Sequence, residues 1–370
     1  MTTTEYRSYL RAAARSAELE SEIVAAPRRF RVLTGDRPTG PLHLGHYFGT
    51  LANRVRLQDA GVDVLLLVAD YQVITDRDTV EGIPQAVLEL LADYLAAGID
   101  PARTTVFAHS AVPALNQLLL PFLGLVSVAE LHRNPTVKAE ADAAGGRALS
   151  GLLLTYPVHQ AADILFCGAN LVPVGRDQLP HLELTRTIAR RFNQRYAFDA
   201  PLFPEPEALL SAAPLLLGLD GQKMSKSRGN AIALRDDEDR TAALLRRART
   251  DGERTITYEP DRRPEVANLL LLAALCTDRT PEHVAAEIDD GGAGALKAVV
   301  TEAVNERLRL LRRRRAELAA DPGYLLDVLA AGNAVANDLA DATLQQVRHL
   351  MRMDYQPVAG AATKQSGDRR

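Results

Sequence analysis

The chain of 370 residues has no tryptophan, only two cysteines, and few aromatic residues of any kind, 5% in all. Cys167 and Cys276 are too few and too far apart for a disulfide framework or a cysteine metal cluster. No apolar run reaches the roughly 18 residues that cross a bilayer. The N-terminal MTTTEYRSYLRAAARSAELESEI lacks an apolar signal core and reads as an amphipathic helix. Together these absences point to the cytoplasm, with no membrane partner. Excess positive charge is also lacking: the net charge is −4, which argues against a dedicated nucleic-acid coat, and no DNA partner is expected. A local basic face is still permitted. RRAR at 246–249 and RLRLLRRRR from Arg307 to Arg315 are the two places for one, although charge runs are ordinarily solvated helix faces.

What is present is ordinary globular material, 47% hydrophobic and 24% charged, in a chain long enough for roughly two domains. FRVLTG (30–35), DVLLLVAD (63–70) and TTVFAHS (104–110) read as strands. Between them, YFGTLANRVRLQDAG and IPQAVLELLADYLAAGI (83–99) read as helices closed by glycine. DVLLLVAD is continuously apolar, as a strand covered on both faces should be. This alternation predicts an α/β fold with a doubly wound parallel sheet, whose ligands sit at the carboxyl ends of strands. From about residue 236 the pattern is helical throughout, giving about four to five helices in a second, all-helical region. No internal repeat is visible.

The loop after the first predicted strand is PTGPLHLGHYFGTL, Pro38 to Leu51. Gly40 and Gly45 let backbone approach a ligand, and a helix starting near His43 aims its N–H groups and positive dipole end at phosphate. His43 and His46 share one face of that first turn. Alone, this stretch reads equally well as a capped helix with two satisfied histidines. KMSKS (Lys223–Ser227), followed by Arg228, Gly229 and Asn230, places two ammoniums and two hydroxyls in one loop. That set suits nucleotide phosphates and the charge on a leaving pyrophosphate.

HLGH together with KMSKS resembles the two ATP-binding motifs of the class I aminoacyl-tRNA synthetases. TYPVHQAADILF (155–166) and LVPVGRDQLPHLELTR (171–186) narrow the resemblance to the tryptophanyl-tRNA synthetases, over about Arg31 to Met353. The resemblance implies a Rossmann-like catalytic domain over 30–235, with 111–170 as a dimer-interface insertion. Around it stand a helical extension over 1–29, a helical anticodon-binding domain over 236–355 and a flexible tail over 356–370.

It also implies residue roles. His43, His46, Lys223 and Lys226 are the catalytic set. Arg37, Pro38, Thr39, Gly45, Lys138, Gly175, Arg176, Asp177 and Leu215 join His46 and the whole of Lys223, Met224, Ser225, Lys226 and Ser227 around ATP. Asp163 accepts the indole N–H, which suits a ring with one donor and no acceptor. Tyr156 and Gln178 position the ammonium and carboxylate, and Gln160 and Gln72 complete the tryptophan pocket. Lys138 reads equally as an exposed helix lysine, and Leu215 as core.

Three positions depart from the usual bacterial pattern. His46 is often Asn there, Gln72 is often His, and Tyr156, Gln160 and Asp163 form the YxxxQxxD spacing also seen in archaeal tyrosyl enzymes. A tyrosyl-tRNA synthetase therefore stays open as an alternative, as does a synthetase-like regulatory or binding protein. The departures suggest a divergent tryptophanyl subclass with an altered response to tryptophan-like inhibitors.

The implied reaction is attack of the tryptophan carboxylate on the α-phosphate of ATP, supplied with Mg²⁺, followed by acyl transfer to tRNA(Trp). Positioning and charge stabilisation suffice for it, and no protein-bound metal is expected. No long insertion is available for an editing domain. The resemblance implies a homodimer, and it gives the Arg307–Arg315 helix a tRNA partner.

Overall fold

The computed structural model describes residues 3–75, 80–138, 150–210, 216–225 and 228–355. Among these, β1 (Arg31–Asp36), β2 (Asp63–Val68), β3 (Thr104–Ala108), β4 (Leu171–Val174) and β5 (Glu207–Leu210) form one sheet. Its order is β3-β2-β1-β4-β5 and every pairing is parallel, so the chain reverses its winding between β1 and β4. The continuous VLLLV run of β2 is buried on both faces. Each such side chain contributes about 1.5–3 kcal/mol of transfer free energy. This is the doubly wound sheet expected from the alternation of strands and helices.

The long helices are α1 (Thr3–Ala25), α2 (Ala52–Ala60), α3 (Ile83–Ala96), α4 (Gly151–Leu165) and α5 (Leu179–Tyr196). After the sheet come α6 (Glu238–Arg246), α7 (Pro264–Thr277), α8 (Pro281–Ile288), α9 (Gly292–Ala319) and α10 (Pro322–Leu350). Before α2 the chain does not run as one regular helix: a short turn at Leu44–His46 passes into a π-helical turn at Tyr47–Leu51.

Both free edges of the sheet are closed by helices from the two ends of the described chain. On β5, the Ser16 hydroxyl of α1 accepts from Leu210 N–H at 2.9 Å and donates to Ala208 C=O at 3.2 Å. Arg15 forks onto Glu207 beside it, and Leu19 and Ile23 are fully buried against Val32, Leu171 and Leu209. On β3, the Asn333 side chain of α10 accepts from Ala108 N–H at 2.9 Å. Gly332 lies so close that a Cβ there would stand 1.8 Å from the Val106 carbonyl oxygen. Covered edges cannot template pairing with another chain.

One apolar core runs from the first crossover into the helical segment, joining Leu42, Phe48 and Leu90 to Leu269, Val300 and Leu308. The arginine-rich run of α9 is only partly a solvated face. Arg309, Arg313 and Arg314 are exposed, but Arg315 is buried, donating to Asp93 on α3 at 2.6 Å and pairing with Glu89. Arg312 reaches Thr241 on α6 at 2.7 Å. Burial raises the Asp93 pKa in spite of Arg315, while the Arg315 charge overcomes burial to lower that of Glu89. The other Asp93 oxygen accepts from Leu42 N–H at 2.8 Å, which ties this network to the residue before His43. The expected tail, 356–370, lies outside the described residues.

Candidate active site

A cavity of about 390 Å³ opens at the carboxyl ends of β1, β2 and β4, beside the switch point. Tyr156, Gln160 and Asp163 follow one another at helical spacing on α4, and all three line it. Gln72, from the turn after β2, Gln178, before α5, and His181, within it, complete the polar lining. Five residues expected around the amino acid, Tyr156, Gln160, Asp163, Gln178 and Gln72, are therefore brought together in one cavity.

His181 organises two of them. Gln160 Oε1 can only accept, so His181 Nδ1 carries the proton and donates to it at 2.8 Å. Burial pushes the His181 pKa down to about 4, which keeps the ring neutral at pH 7. Its Nε2 is then an acceptor, and Tyr156 O–H donates to it at 3.1 Å. Toward any further group Tyr156 can therefore only accept, which is the role an ammonium requires. His181 lies inside the LPHLELTR run, although no role was assigned to it from sequence.

Asp163 is 4% exposed. Its Oδ1 accepts from His109 Nε2–H at 2.6 Å, and its Oδ2 has no hydrogen bond among the described residues. Gln72 is held from behind in the same way: its Nε2 donates to His159 Nδ1 at 3.1 Å, and His159 Nε2–H donates to Asn116 Oδ1 at 2.7 Å. Burial lowers the His159 pKa. His109, His159 and Asp163 are metal-ligating types in one cluster. However, the two rings stack with centroids 4.6 Å apart and planes 20° apart, so their in-plane lone pairs run side by side rather than converging. Sequence reasoning missed both histidines. The only signal for His109 was its position at the carboxyl end of β3.

The last residue of β1, Asp36, and the first of the loop after it, Arg37, line the cavity. Burial alone would raise the Asp36 pKa. The Arg54 charge, with hydrogen bonds from Arg54 at 2.5 Å and Tyr94 at 2.7 Å, overcomes burial and holds it down at about 2. This network was not read from sequence, because its members are far apart along the chain.

HLGH and the described part of KMSKS, residues 223–225, meet at Gly45, and His46 lies within electrostatic reach of Asp36 in the cavity wall. His43 caps the turn that begins at Leu44 and forms a reciprocal capping box with His46, with ring centroids 3.7 Å apart. The two histidines thus act partly as the capped helix start considered above. Leu44 N–H donates to Ile232 C=O at 3.0 Å and Leu234 N–H to Leu42 C=O at 2.9 Å, so the chain after KMSKS pairs with the HLGH stretch. A Cβ at Gly45 would stand 3.1 Å from Met224 Sδ. Asn230 holds the loop from inside, accepting from Ser225 N–H and donating to Lys223 C=O and Asp220.

The remaining expected residues are placed as follows. Lys223 is exposed, Pro38 is buried, and Thr39 lies in the loop next to Arg37. Gly175 lines the cavity, but Arg176 and Asp177 do not, and the Arg176 guanidinium lies 4.9 Å over the Tyr9 ring of α1. Lys138 is exposed and outside the lining, to which Thr136 belongs. Leu215, Lys226 and Ser227 lie outside the described residues.

A doubly wound sheet with HLGH after its first strand, and the start of the KMSKS loop packed against it, defines a class I aminoacyl-tRNA synthetase. Residues 26–309 match the family model for class I tRNA synthetases (W and Y), and the chain belongs to that family. The tryptophan–tRNA ligase of Treponema pallidum is 42% identical over 336 residues, covering 89% of this chain and 98% of that protein. That of Lactococcus lactis is 40% identical over 336 residues, 88% and 98% of the two chains. Among solved structures, tryptophanyl-tRNA synthetase from Campylobacter jejuni, complexed with ADP and tryptophan, superposes with a TM-score of 0.76 at 29% identity. It covers 87% of this chain and 99% of that one. Tyrosyl-tRNA synthetase from Archaeoglobus fulgidus, at 24% identity and a TM-score of 0.61, shares the fold.

Proposed function

We propose that this chain is a tryptophan–tRNA ligase, which activates L-tryptophan with ATP as tryptophanyl-adenylate and passes the acyl group to tRNA(Trp). The observation that carries this reading is Asp163: a buried carboxylate with one oxygen committed to His109 and the other unengaged, in a cavity at the switch point. An indole N–H, a donor that cannot accept, complements that oxygen. Tyr156 and Gln178 hold the ammonium and carboxylate of the amino acid, and Gln160 and Gln72 close the pocket.

ATP is the second substrate, carried with Mg²⁺ bound mainly by its phosphates and water. The triphosphate lies across the HLGH–KMSKS junction, with Arg37, Thr39 and Gly45 below it and Gly175 beside the ribose. The amino-acid carboxylate is itself the nucleophile and attacks the α-phosphate. The protein therefore aligns the two substrates and neutralises charge on the departing pyrophosphate, which falls to His43, His46, Lys223 and Lys226.

The helical segment 236–355 is the anticodon-reading part. The exposed Arg309, Arg313 and Arg314 contact tRNA phosphates there, giving an affinity that falls steeply with salt. The chain acts as a homodimer through 111–170. No helix of the described residues is long and apolar enough to cross a membrane.

The YxxxQxxD face on α4 favours tyrosine as the second reading. ATP–pyrophosphate exchange decides between them: stimulation by tryptophan is expected, stimulation by tyrosine alone overturns the proposal, and stimulation by neither makes the chain a non-aminoacylating relative.

A further inference from the structure

We infer that His109 is the positioning residue of the amino-acid pocket, and that it sets the pocket's demand for an N–H donor on the side chain it binds. The inference rests on the reading of Asp163 as the indole partner and adds what holds Asp163 in that state.

His109 is fully buried and does not line the cavity. It stands behind Asp163, and its Nε2–H at 2.6 Å is the one hydrogen bond that this carboxylate makes among the described residues. The backbone of His109 is fastened in turn, its carbonyl accepting from Asn116 Nδ2 at 2.9 Å. Its other ring nitrogen, Nδ1, is buried with no partner among the described residues. A proton there would be a buried donor without an acceptor, so the geometry selects the Nε2–H tautomer.

The titratable groups that face the ring are few. Asp163 and His159 come from α4, and His159 is held as the Nε2–H tautomer by Asn116 and Gln72. Tyr71, from the turn after β2, has its ring within 22° of parallel to His109 with centroids 6.4 Å apart, and Asp70 beside it is engaged by Ser110. The ring is stacked on His159, and its one proton points at Oδ1 of Asp163.

The consequence is a buried carboxyl group with Oδ1 held by His109 and its other oxygen turned to the cavity. A hydrogen bond to a charged oxygen is roughly twice as strong as one to a neutral group. Without the His109 donor, Oδ1 loses the one hydrogen bond that orients the group, so the carboxyl can rotate and no longer presents one fixed acceptor to the cavity. An acceptor without a fixed direction loses less when the ring offers no N–H. His109, through Asp163, therefore determines how strongly the pocket separates indole from an isosteric ring that has no donor.

The test compares ATP–pyrophosphate exchange with tryptophan and with β-(3-benzothienyl)alanine, in which sulfur replaces the N–H. His109→Gln keeps an amide donor near the Nε2 position, His109→Leu removes the donor, and His109→Phe removes it while keeping a flat ring against His159. The wild type and His109→Gln are expected to prefer tryptophan to a similar degree. In the Leu and Phe variants that preference should fall by about 10- to 100-fold. The loss should come from a higher KM for tryptophan, with kcat and the KM for ATP little changed.

An unchanged preference in the Leu and Phe variants overturns the inference, as does an equal loss in kcat and in the KM for ATP. Asp163→Asn separates the two levels. If that variant keeps the full preference, the reading of Asp163 itself falls. If it loses the preference while the Leu and Phe variants keep it, only the role of His109 falls.

Discussion

Met224, in the lysine–serine loop, packs its sulfur on Gly45 of the HLGH turn so closely that a Cβ at Gly45 would stand 3.1 Å from it. The HLGH and KMSKS motifs, about 180 residues apart in the chain, therefore approach closely at Gly45, where a side chain would crowd both the loop and the His43 ring. Gly45→Ala displaces the His43 ring, the Met224 loop or both by a few tenths of an ångström. It should slow pyrophosphate exchange on the order of tenfold, with the KM for tryptophan nearly unchanged. Equal effects on both would show that the contact is not specific to the ATP side.

His46 closes the capping box with His43 and also faces the proposed triphosphate site. His46→Ala should lower kcat for exchange by about 10²-fold, the usual size for losing one group that stabilises transition-state charge. Tryptophan binding, measured by calorimetry without ATP, should change far less. If binding and turnover fall together, the motif has been misassigned.

Asp36 supplies a pH signature. Its folded pKa of about 2 lies below the unfolded value near 3.9, so its stabilisation is complete above that value and is lost as pH falls toward 2. The shift corresponds to about 2 kcal/mol. Denaturant unfolding of the wild type and of Asp36→Asn should give a stability gap that shrinks by about this amount between roughly pH 4 and pH 2. A gap independent of pH would show that the Arg54–Tyr94 network does not hold the carboxylate ionised.

Gly332 lets α10 lie directly on the edge of β3. Because the obstacle to a Cβ is a backbone carbonyl, Gly332→Ala has to shift the helix. A loss of about 1–3 kcal/mol is expected, read as a lower thermal midpoint. An alanine variant as stable as the wild type would contradict this packing.

Sequence alone determined the periodic and contiguous features. The apolar run of β2 reads as a strand covered on both faces, HLGH and KMSKS are compact motifs, and Tyr156, Gln160 and Asp163 must share a face once α4 is a helix. The short strands β4 and β5 were not read as strands, since LVPV and EALL carry little pattern and the first contains proline. Tertiary structure alone decided which side chains stand behind the site. His109 meets Asp163 from 54 positions away, and Arg315 meets Asp93 from 222. Nothing local distinguishes a histidine that fixes a carboxylate from one that fills a core, or an arginine turned inward from one in solvent. The difference is the partner, and the partner is chosen only when the sheet winds both ways from β1 and the helices close over it.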